Sequence, residues 1–146
     1  MITEENEVKL IDFGVAKIAS KTLTFTGYSL GTTCYMAPEN FEVDGEIEPT
    51  DKPIAITTKA DIWSFGTVIS ELFSQVKPWS NKCNSSISIE RKLVNKDRFP
   101  VPKNITDNNI VNLIKKCCQI EPNLRYSAGD LIEKIQELID ANELQV

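Results

Sequence analysis

One segment, residues 59–75, restricts the possible folds more than any other part of the chain. Its apolar side chains recur at positions that cover most of a helix circumference instead of a single stripe. They are Ile62, Trp63, Phe65, Val68, Ile69, Leu72 and Phe73. We expect such a helix to be buried on nearly all sides. A capping box of Thr58 and Asp61 is its predicted start, and Pro78 marks its predicted end.

Two further segments have clear helical patterns. Residues 107–119 carry apolar positions at helical spacing, with Thr106 as the predicted N-cap. Residues 128–141 follow a predicted capping box of Ser127 and Asp130, and one apolar face of this helix is expected to be buried. That face consists of Leu131, Ile132, Ile135, Leu138 and Ile139.

The remaining segments have weaker or different patterns. A further helix is predicted over 86–95, and the apolar residues 8–11 predict a short strand after a polar turn. Residues 19–33 are rich in Ser, Thr and Gly without apolar periodicity, which predicts a long and therefore functional loop. The acidic stretch 42–53 predicts a solvated insertion, with an acidic docking site as the alternative.

Composition and charge exclude several classes of function. The 146 residues are 41% hydrophobic and 25% charged, which is typical of a soluble globular domain rather than a disordered chain. The net charge of −5 argues against a nucleic-acid partner, and no apolar run reaches the length needed for membrane insertion. The absence of histidine, together with cysteines that form no C-x-x-C pair, argues against a zinc site. It also excludes every His-based general base. Four cysteines without a C-x-x-C pair predict reduced thiols in a cytoplasmic or nuclear protein.

Four short motifs follow one another along the chain. The letters D-F-G occupy residues 12–14, directly after the predicted strand. A-P-E occupies 37–39, within the longer run G-T-T-C-Y-M-A-P-E over 31–39. D-I-W-S-F-G then occupies 61–66, and E-P-N-L-R ends at Arg125. Each motif alone is weak evidence, but the four in this order and local context are highly specific.

This set resembles the C-terminal lobe of a eukaryotic protein kinase. The resemblance implies a mainly α fold: a helical lobe with a short β remnant at the N-terminus, and an incomplete domain. It divides the partial kinase domain, 1–141, into an activation segment over 12–39, an insertion over 40–57 and a helical lobe over 58–141. Residues 142–146 form a tail.

The subtype follows from the residues around A-P-E. G-T-x-x-Y-x-A-P-E over 31–39 is similar to the serine/threonine class of kinases. Residues 99–102, together with the Cys117-Cys118 pair, look like those of the tyrosine-kinase-like group of serine/threonine kinases.

The resemblance implies roles for residues of the activation segment. Asp12 matches the carboxylate that holds Mg²⁺ on the ATP phosphates, and Phe13 and Gly14 match its neighbours, whose packing and backbone freedom set active and inactive states. The alternative for Asp12 alone is a residue that starts a turn. Thr32 matches the threonine that lines the substrate site, with an ordinary turn hydroxyl as the alternative.

Four further residues match structural positions of the family. Glu39 and Arg125 match a buried ion pair, for which the planar guanidinium is suited; the alternative for Arg125 is a solvated loop residue. Asp61 matches a buried acceptor that holds the catalytic loop, although it can also cap its own helix. Trp63 is expected in the core.

The loop before Thr32 contains candidates for phosphorylation. Thr26, Tyr28 and Ser29 lie where activation-loop phosphorylation falls in the family. A phosphate there orders the loop only where Arg or Lys side chains receive it.

Several parts of a working kinase do not occur in these residues. The glycine-rich loop, the ATP-binding lysine and the H-R-D-x-x-x-x-N loop, which supplies the catalytic base and a second metal ligand, have no match. Met1 matches an internal position of a longer kinase, so we expect a fragment of a serine/threonine kinase that is inactive alone and binds ATP and Mg²⁺ weakly or not at all. The alternative is a non-catalytic interaction or decoy module.

The expected partners follow from these two hypotheses. They are protein substrates or regulators of the parent kinase. Apolar side chains left exposed on the 59–75 helix would also favour self-association.

Overall fold

The computed structural model describes residues 1–13, 32–41 and 57–141. Four helices dominate: α1 (Lys59–Ser74), α2 (Ser86–Val94), α3 (Asn108–Cys117) and α4 (Ala128–Asp140). Short 3-10 turns cover Thr33–Tyr35, Pro38–Phe41 and Pro122–Leu124. The mainly α prediction is therefore confirmed, and none of the described helices is long and apolar enough to cross a membrane.

The N-terminal residues 1–13 form a small turn rather than the predicted strand. Among the described residues, the β structure is one isolated antiparallel bridge between Ile2 and Val8. Lys9 N donates to Met1 O at 2.9 Å, which closes the turn. The prediction of a strand over 8–11 was therefore wrong, because apolar residues form a strand only where a neighbouring strand supplies hydrogen bonds.

Helix α1 is central, but it is not buried on all sides. Its inward face combines Ile62 and Trp63 with small residues, among them Gly66 and Ser70. Its outward face carries Val68, Leu72 and Phe73, which are 43%, 59% and 41% exposed. These three side chains are therefore not buried, which differs from burial all round and agrees with the expectation that an incomplete domain leaves apolar side chains of this helix exposed.

Gly66 packs closely against the end of α3. A Cβ atom added there would lie 2.5 Å from Cys117 Cβ and 2.9 Å from Cys118 Sγ. Such distances are far inside van der Waals contact, so only glycine lets the two helices approach this closely. Both cysteines are buried against this point.

Phe99 packs against Trp63 of α1 and against Trp79. Its ring meets Trp63 edge-on with the centroids 6.3 Å apart and Trp79 edge-on at 5.5 Å. All three rings are buried, so residues 99–102 close the core between α2 and α3. The prediction that Trp63 lies in the core agrees with its complete burial.

The helix starts differ in part from the predicted ones. Thr58 has helical backbone angles and its side chain caps nothing; Thr57 Oγ1 accepts instead from Lys59 N at 3.2 Å. A capping residue needs an extended backbone, which Thr58 lacks. For α3 the cap is Asp107 rather than Thr106, with Asp107 Oδ1 accepting from Asn109 N at 2.7 Å.

The start of α4 is as predicted, but its apolar face is narrower. Ser127 N donates to Asp130 Oδ2 at 2.8 Å, and Asp130 N donates to Ser127 Oγ at 3.1 Å, which is the predicted capping box. These hydrogen bonds, chiefly from the Ser127 backbone, lower the pKa of Asp130. Ile132 and Ile139 are exposed, contrary to expectation, because only one narrow side of α4 contacts the core.

The close approach at Gly66 yields a test of the packing. Gly66→Ala should lower the free energy of unfolding by about 1–3 kcal/mol, because the added methyl group overlaps Cys117 and Cys118. Chemical denaturation of the two proteins measures the difference. Gly129→Ala is the matched control, because a Cβ there would meet only Ser127 Oγ at an ordinary 3.7 Å. Equal stability of Gly66→Ala and wild type would contradict the packing described here.

Candidate functional site

The centre of the site is a buried ion pair between Glu39 and Arg125. Glu39 lies in the 3-10 turn Pro38–Phe41, and Arg125 directly follows the turn Pro122–Leu124. Arg125 Nη1 donates to Glu39 Oε1 at 2.6 Å, and Arg125 Nη2 donates to Glu39 Oε2 at 2.8 Å. Both side chains are buried, so the alternative of a solvated arginine is excluded. The planar guanidinium matches the carboxylate with two parallel bonds, which is the strongest form of this pair.

Backbone carbonyl groups accept the remaining donors of Arg125. Its Nε donates to Gln119 O at 2.7 Å, and its Nη2 also donates to Ile120 O at 3.0 Å, directly after the C-cap of α3. Its Nη1 also donates to Lys59 O at 2.9 Å, at the start of α1. One side chain therefore joins the start of α1, the end of α3 and the 32–41 segment.

Two neighbours complete this arrangement. Lys59 Nζ donates back to Arg125 O at 2.9 Å, so the two residues bond reciprocally. The Arg125 guanidinium carbon lies 5.1 Å from the ring centroid of Trp63, in cation–π geometry. The charge is thus held between an indole face and a carboxylate in a dry environment.

A second contact ties the 32–41 segment to α1. Tyr35 Oη donates to Glu71 Oε2 at 2.6 Å, and Ser64 Oγ donates to Tyr35 O at 2.8 Å. The hydrogen bond to Glu71 raises the pKa of Tyr35. The sequence reasoning missed this pair; the signal was Tyr35 itself, which the motif over 31–39 used only to assign the class of kinase.

The predicted substrate residue, Thr32, is exposed beside these anchors. Its carbonyl oxygen accepts from Tyr35 N at 3.0 Å at the beginning of the turn Thr33–Tyr35. Its side chain caps nothing in the described part of the chain. The hydroxyl is therefore presented to solvent from a turn that Tyr35 anchors to α1.

The predicted metal residue, Asp12, lies apart from this cluster. Asp12 is exposed and has a left-handed backbone with φ of 64°, and Phe13 beside it is 67% exposed. Within the described ranges, no group of three or more acidic, Cys or His residues could hold a metal ion. The assignment of Mg²⁺ to Asp12 therefore stays a prediction, since Mg²⁺ takes several oxygen ligands and is usually held by one or two carboxylates together with substrate phosphates.

Other predicted residues are exposed or lie outside the described residues. Asp61 is exposed in the first turn of α1 and forms no capping box with Thr58, so that alternative was wrong. Its exposure also differs from the buried acceptor that the resemblance implied. Gly14 and the phosphorylation candidates fall outside the described residues. These candidates are Thr26, Tyr28 and Ser29.

The four cysteines are free and buried. Burial raises the pKa of Cys117 to about 11 and that of Cys118 well above its ordinary value. Burial also raises the pKa of Cys34. The thiols of Cys34, Cys117 and Cys118 are therefore protonated at neutral pH and act as core side chains rather than as nucleophiles.

The buried ion pair should be costly to break. Arg125→Met leaves the Glu39 carboxylate buried without its partner, so we expect the free energy of unfolding to fall by about 3–5 kcal/mol. Arg125→Lys should restore only part of this loss, because an ammonium group cannot form the two-bond fork. Urea unfolding of each variant measures the effect.

The control is the exposed pair of Lys92 and Asp97, whose atoms are 2.7 Å apart with side chains 45% and 39% exposed. Lys92→Met should change stability little, because solvent screens such pairs. An equally small effect of Arg125→Met would contradict a structural role for the buried pair.

The Tyr35 contact allows a matched comparison of two phenol groups. Tyr35→Phe should lower the free energy of unfolding by about 1 kcal/mol, because a hydrogen bond to a charged, half-buried carboxylate is lost. Tyr126→Phe should have no comparable effect, since Tyr126 Oη makes no hydrogen bond among the described residues and only the Lys116 ammonium lies over its ring. Thermal melts measure the loss of stability in both variants. Equal losses of stability would count against the Tyr35–Glu71 bond.

Comparison with known proteins places this sequence in a family. The family model described as protein kinase domain matches residues 1–135. Serine/threonine-protein kinase dst2 of Dictyostelium discoideum is 31% identical over 139 residues, which cover 91% of this chain and 11% of the relative.

Two relatives from Arabidopsis thaliana are similar to the same extent. Mitogen-activated protein kinase kinase kinase 2 is 30% identical over 135 residues, which cover 91% of this chain and 19% of the relative. Mitogen-activated protein kinase kinase 1 is 31% identical over 138 residues, which cover 91% of this chain and 36% of the relative. The chain thus spans well under half the length of these relatives. The extent of the family match shows that the chain belongs to the eukaryotic protein kinase family.

Proposed function

We propose that this chain is the substrate-side part of a serine/threonine kinase domain, and that the complete protein transfers the γ-phosphate of ATP to Ser or Thr hydroxyls of proteins. The observation that carries the proposal is the buried Glu39–Arg125 pair, which anchors the A-P-E segment to the helical lobe. The serine/threonine kinase names of the relatives support the class of acceptor.

The contribution of the chain to that reaction is positioning. The 32–41 segment is fixed by Arg125 at one end and by Glu71 at Tyr35, and Thr32 is exposed next to the second anchor. A rigid segment with an exposed hydroxyl suits the binding of a protein substrate, since positioning accounts for much of phosphoryl-transfer catalysis. The free, buried thiols support a cytoplasmic site of action.

By itself the 146-residue chain is proposed to be inactive. It contains no histidine, no H-R-D-x-x-x-x-N loop and no glycine-rich loop before Asp12, so neither the catalytic base nor the phosphate-binding groups are supplied. The exposed, isolated Asp12 supports weak or no binding of ATP with Mg²⁺.

The activity prediction is tested with radiolabelled ATP. The purified chain, incubated with Mg²⁺, [γ-³²P]ATP and casein, should transfer no more phosphate than a blank without protein. The control is the same preparation with Asp12→Asn, which should give the same background. Transfer by the wild-type chain that Asp12→Asn abolishes would show a complete catalytic site, and micromolar binding of MgATP in calorimetry would also count against the proposal.

A second candidate is a non-catalytic module that binds kinase partners or substrates. The observation that favours it is the exposed side of α2, where Ile87 and Val94 are 65% and 52% exposed while Ile89 and Leu93 anchor the helix in the core. Substitution of Thr32 distinguishes the two candidates. It should lower phosphate transfer by the complete protein if the chain is part of a kinase, but it should not affect the binding of a partner through α2.

A further inference from the structure

A cavity of about 600 Å³ lies apart from the Glu39–Arg125 pair and Thr32, between two loop segments. One wall is formed by residues 98–101, which come between α2 and α3. The other wall is formed by Lys115 in the last turn of α3 and by residues 118–124 after it. We call this cavity the α3 groove. Its volume is that of ordinary ligand sites, which measure about 300–1,000 Å³.

Contacts with the core fix both walls of the α3 groove. In one wall, the Phe99 ring meets two buried tryptophan rings edge-on. In the other wall, the backbone oxygens of Gln119 and Ile120 accept hydrogen bonds from the buried Arg125 side chain at 2.7 and 3.0 Å. A ligand that binds here finds the walls already ordered, so little conformational entropy is lost on binding.

The floor of the α3 groove is apolar. Phe99 and Cys118 are buried, Val101 and Ile120 are half-buried, and Leu124 at the edge is 54% exposed. Sites for small molecules bury most of the surface of their ligand. A groove with an exposed leucine at its edge is instead suited to an apolar side chain that a protein segment presents, because the rest of that segment stays in solvent.

The rim of the α3 groove is cationic. Arg98 and Lys115 line it and are exposed, and neither forms an ion pair with another described residue. Glu121 also lines the rim, which leaves one net positive charge there on a chain whose net charge is −5. A local charge opposite to that of the whole protein favours an anionic partner at this place.

We propose that the α3 groove binds an acidic segment of a partner protein. A bulky apolar side chain of that segment packs over Phe99 and Leu124, and its carboxylates face Arg98 and Lys115. A guanidinium group suits this role because it binds a carboxylate with two parallel hydrogen bonds. The proposal goes beyond the kinase reaction and is independent of it, because the α3 groove includes neither Thr32 nor the Glu39–Arg125 pair.

Fluorescence anisotropy of a labelled heptapeptide, EEDLFDE, with the full 146-residue chain tests the proposal. We expect saturable binding that weakens when NaCl is raised from about 50 to about 500 mM, because salt screens the exposed charges. Two matched peptides separate the contributions. QQNLFNQ keeps the apolar pair without the charges, and EEDSGDE keeps the charges without the apolar pair. Each should bind at least about tenfold more weakly than EEDLFDE.

Charge variants locate the binding site. Arg98→Glu and Lys115→Glu should each weaken the binding of EEDLFDE about tenfold, because an attractive contact becomes repulsive. Glu121→Lys should strengthen binding about fivefold, which mere damage to the fold would not do. Lys82→Glu is the matched control: Lys82 is an exposed cation between α1 and α2 that does not line the α3 groove, so binding should be unchanged. Circular dichroism verifies that each variant keeps its helices.

Four outcomes would overturn the proposal. The first two are no binding of EEDLFDE and equal binding of QQNLFNQ. The third is a loss of binding in Lys82→Glu as large as that in Lys115→Glu, which would show attraction by general charge alone. The fourth is about tenfold tighter binding by a chain whose acidic residues in 42–51 are replaced by their amides. That result would assign the α3 groove to the chain's own acidic stretch instead of a partner.

Discussion

The packing of the described helices depends on the Arg125 guanidinium. Burying a charged group costs several kcal/mol, and the cost is offset only where its donors are satisfied. Here Glu39 accepts two bonds, and carbonyl groups of Lys59, Gln119 and Ile120 accept the others. The two ion-pair partners are 86 residues apart in the chain. The A-P-E segment forms 3-10 turns rather than a long helix or sheet. Its position therefore depends on this ion pair, together with the Tyr35 contacts and the burial of Ala37 and Phe41.

The division of α1 into two faces follows from its neighbours. Gly66 allows the backbone of α3 to approach, and Cys117 and Cys118 occupy the space that a side chain at this position would need. Trp63, one turn away, lies against the Arg125 guanidinium with its ring face and meets Phe99 edge-on. Small residues therefore face the core where α1 meets the end of α3. The large apolar side chains of Val68 and Leu72 lie on the opposite, exposed side of the helix.

Local sequence patterns predicted the helices, but they did not predict contacts between residues that are far apart in the sequence. The capping box of Ser127 and Asp130 was correct because both partners lie within one turn. Thr58 failed as a cap because its backbone is helical, a property set by the chain around it rather than by its side chain. The bond between Tyr35 and Glu71 joins residues 36 apart, so no local pattern reveals it. Likewise, Ile132 is apolar and at helical spacing, but the sequence does not show that its side of α4 lies outside the core.

Three residues of the 32–41 segment differ in burial as their proposed roles require. Glu39 is buried at one end, Tyr35 is half-buried in the middle, and Thr32 is exposed at the other end. The strongest contact, with both oxygens of Glu39 bonded, is thus the one farthest along the segment from Thr32. The Tyr35–Glu71 bond also holds the turn in which Tyr35 N donates to Thr32 O. A residue that contacts a protein substrate must be accessible and must also be held in place, and anchoring it through its neighbours meets both conditions at once.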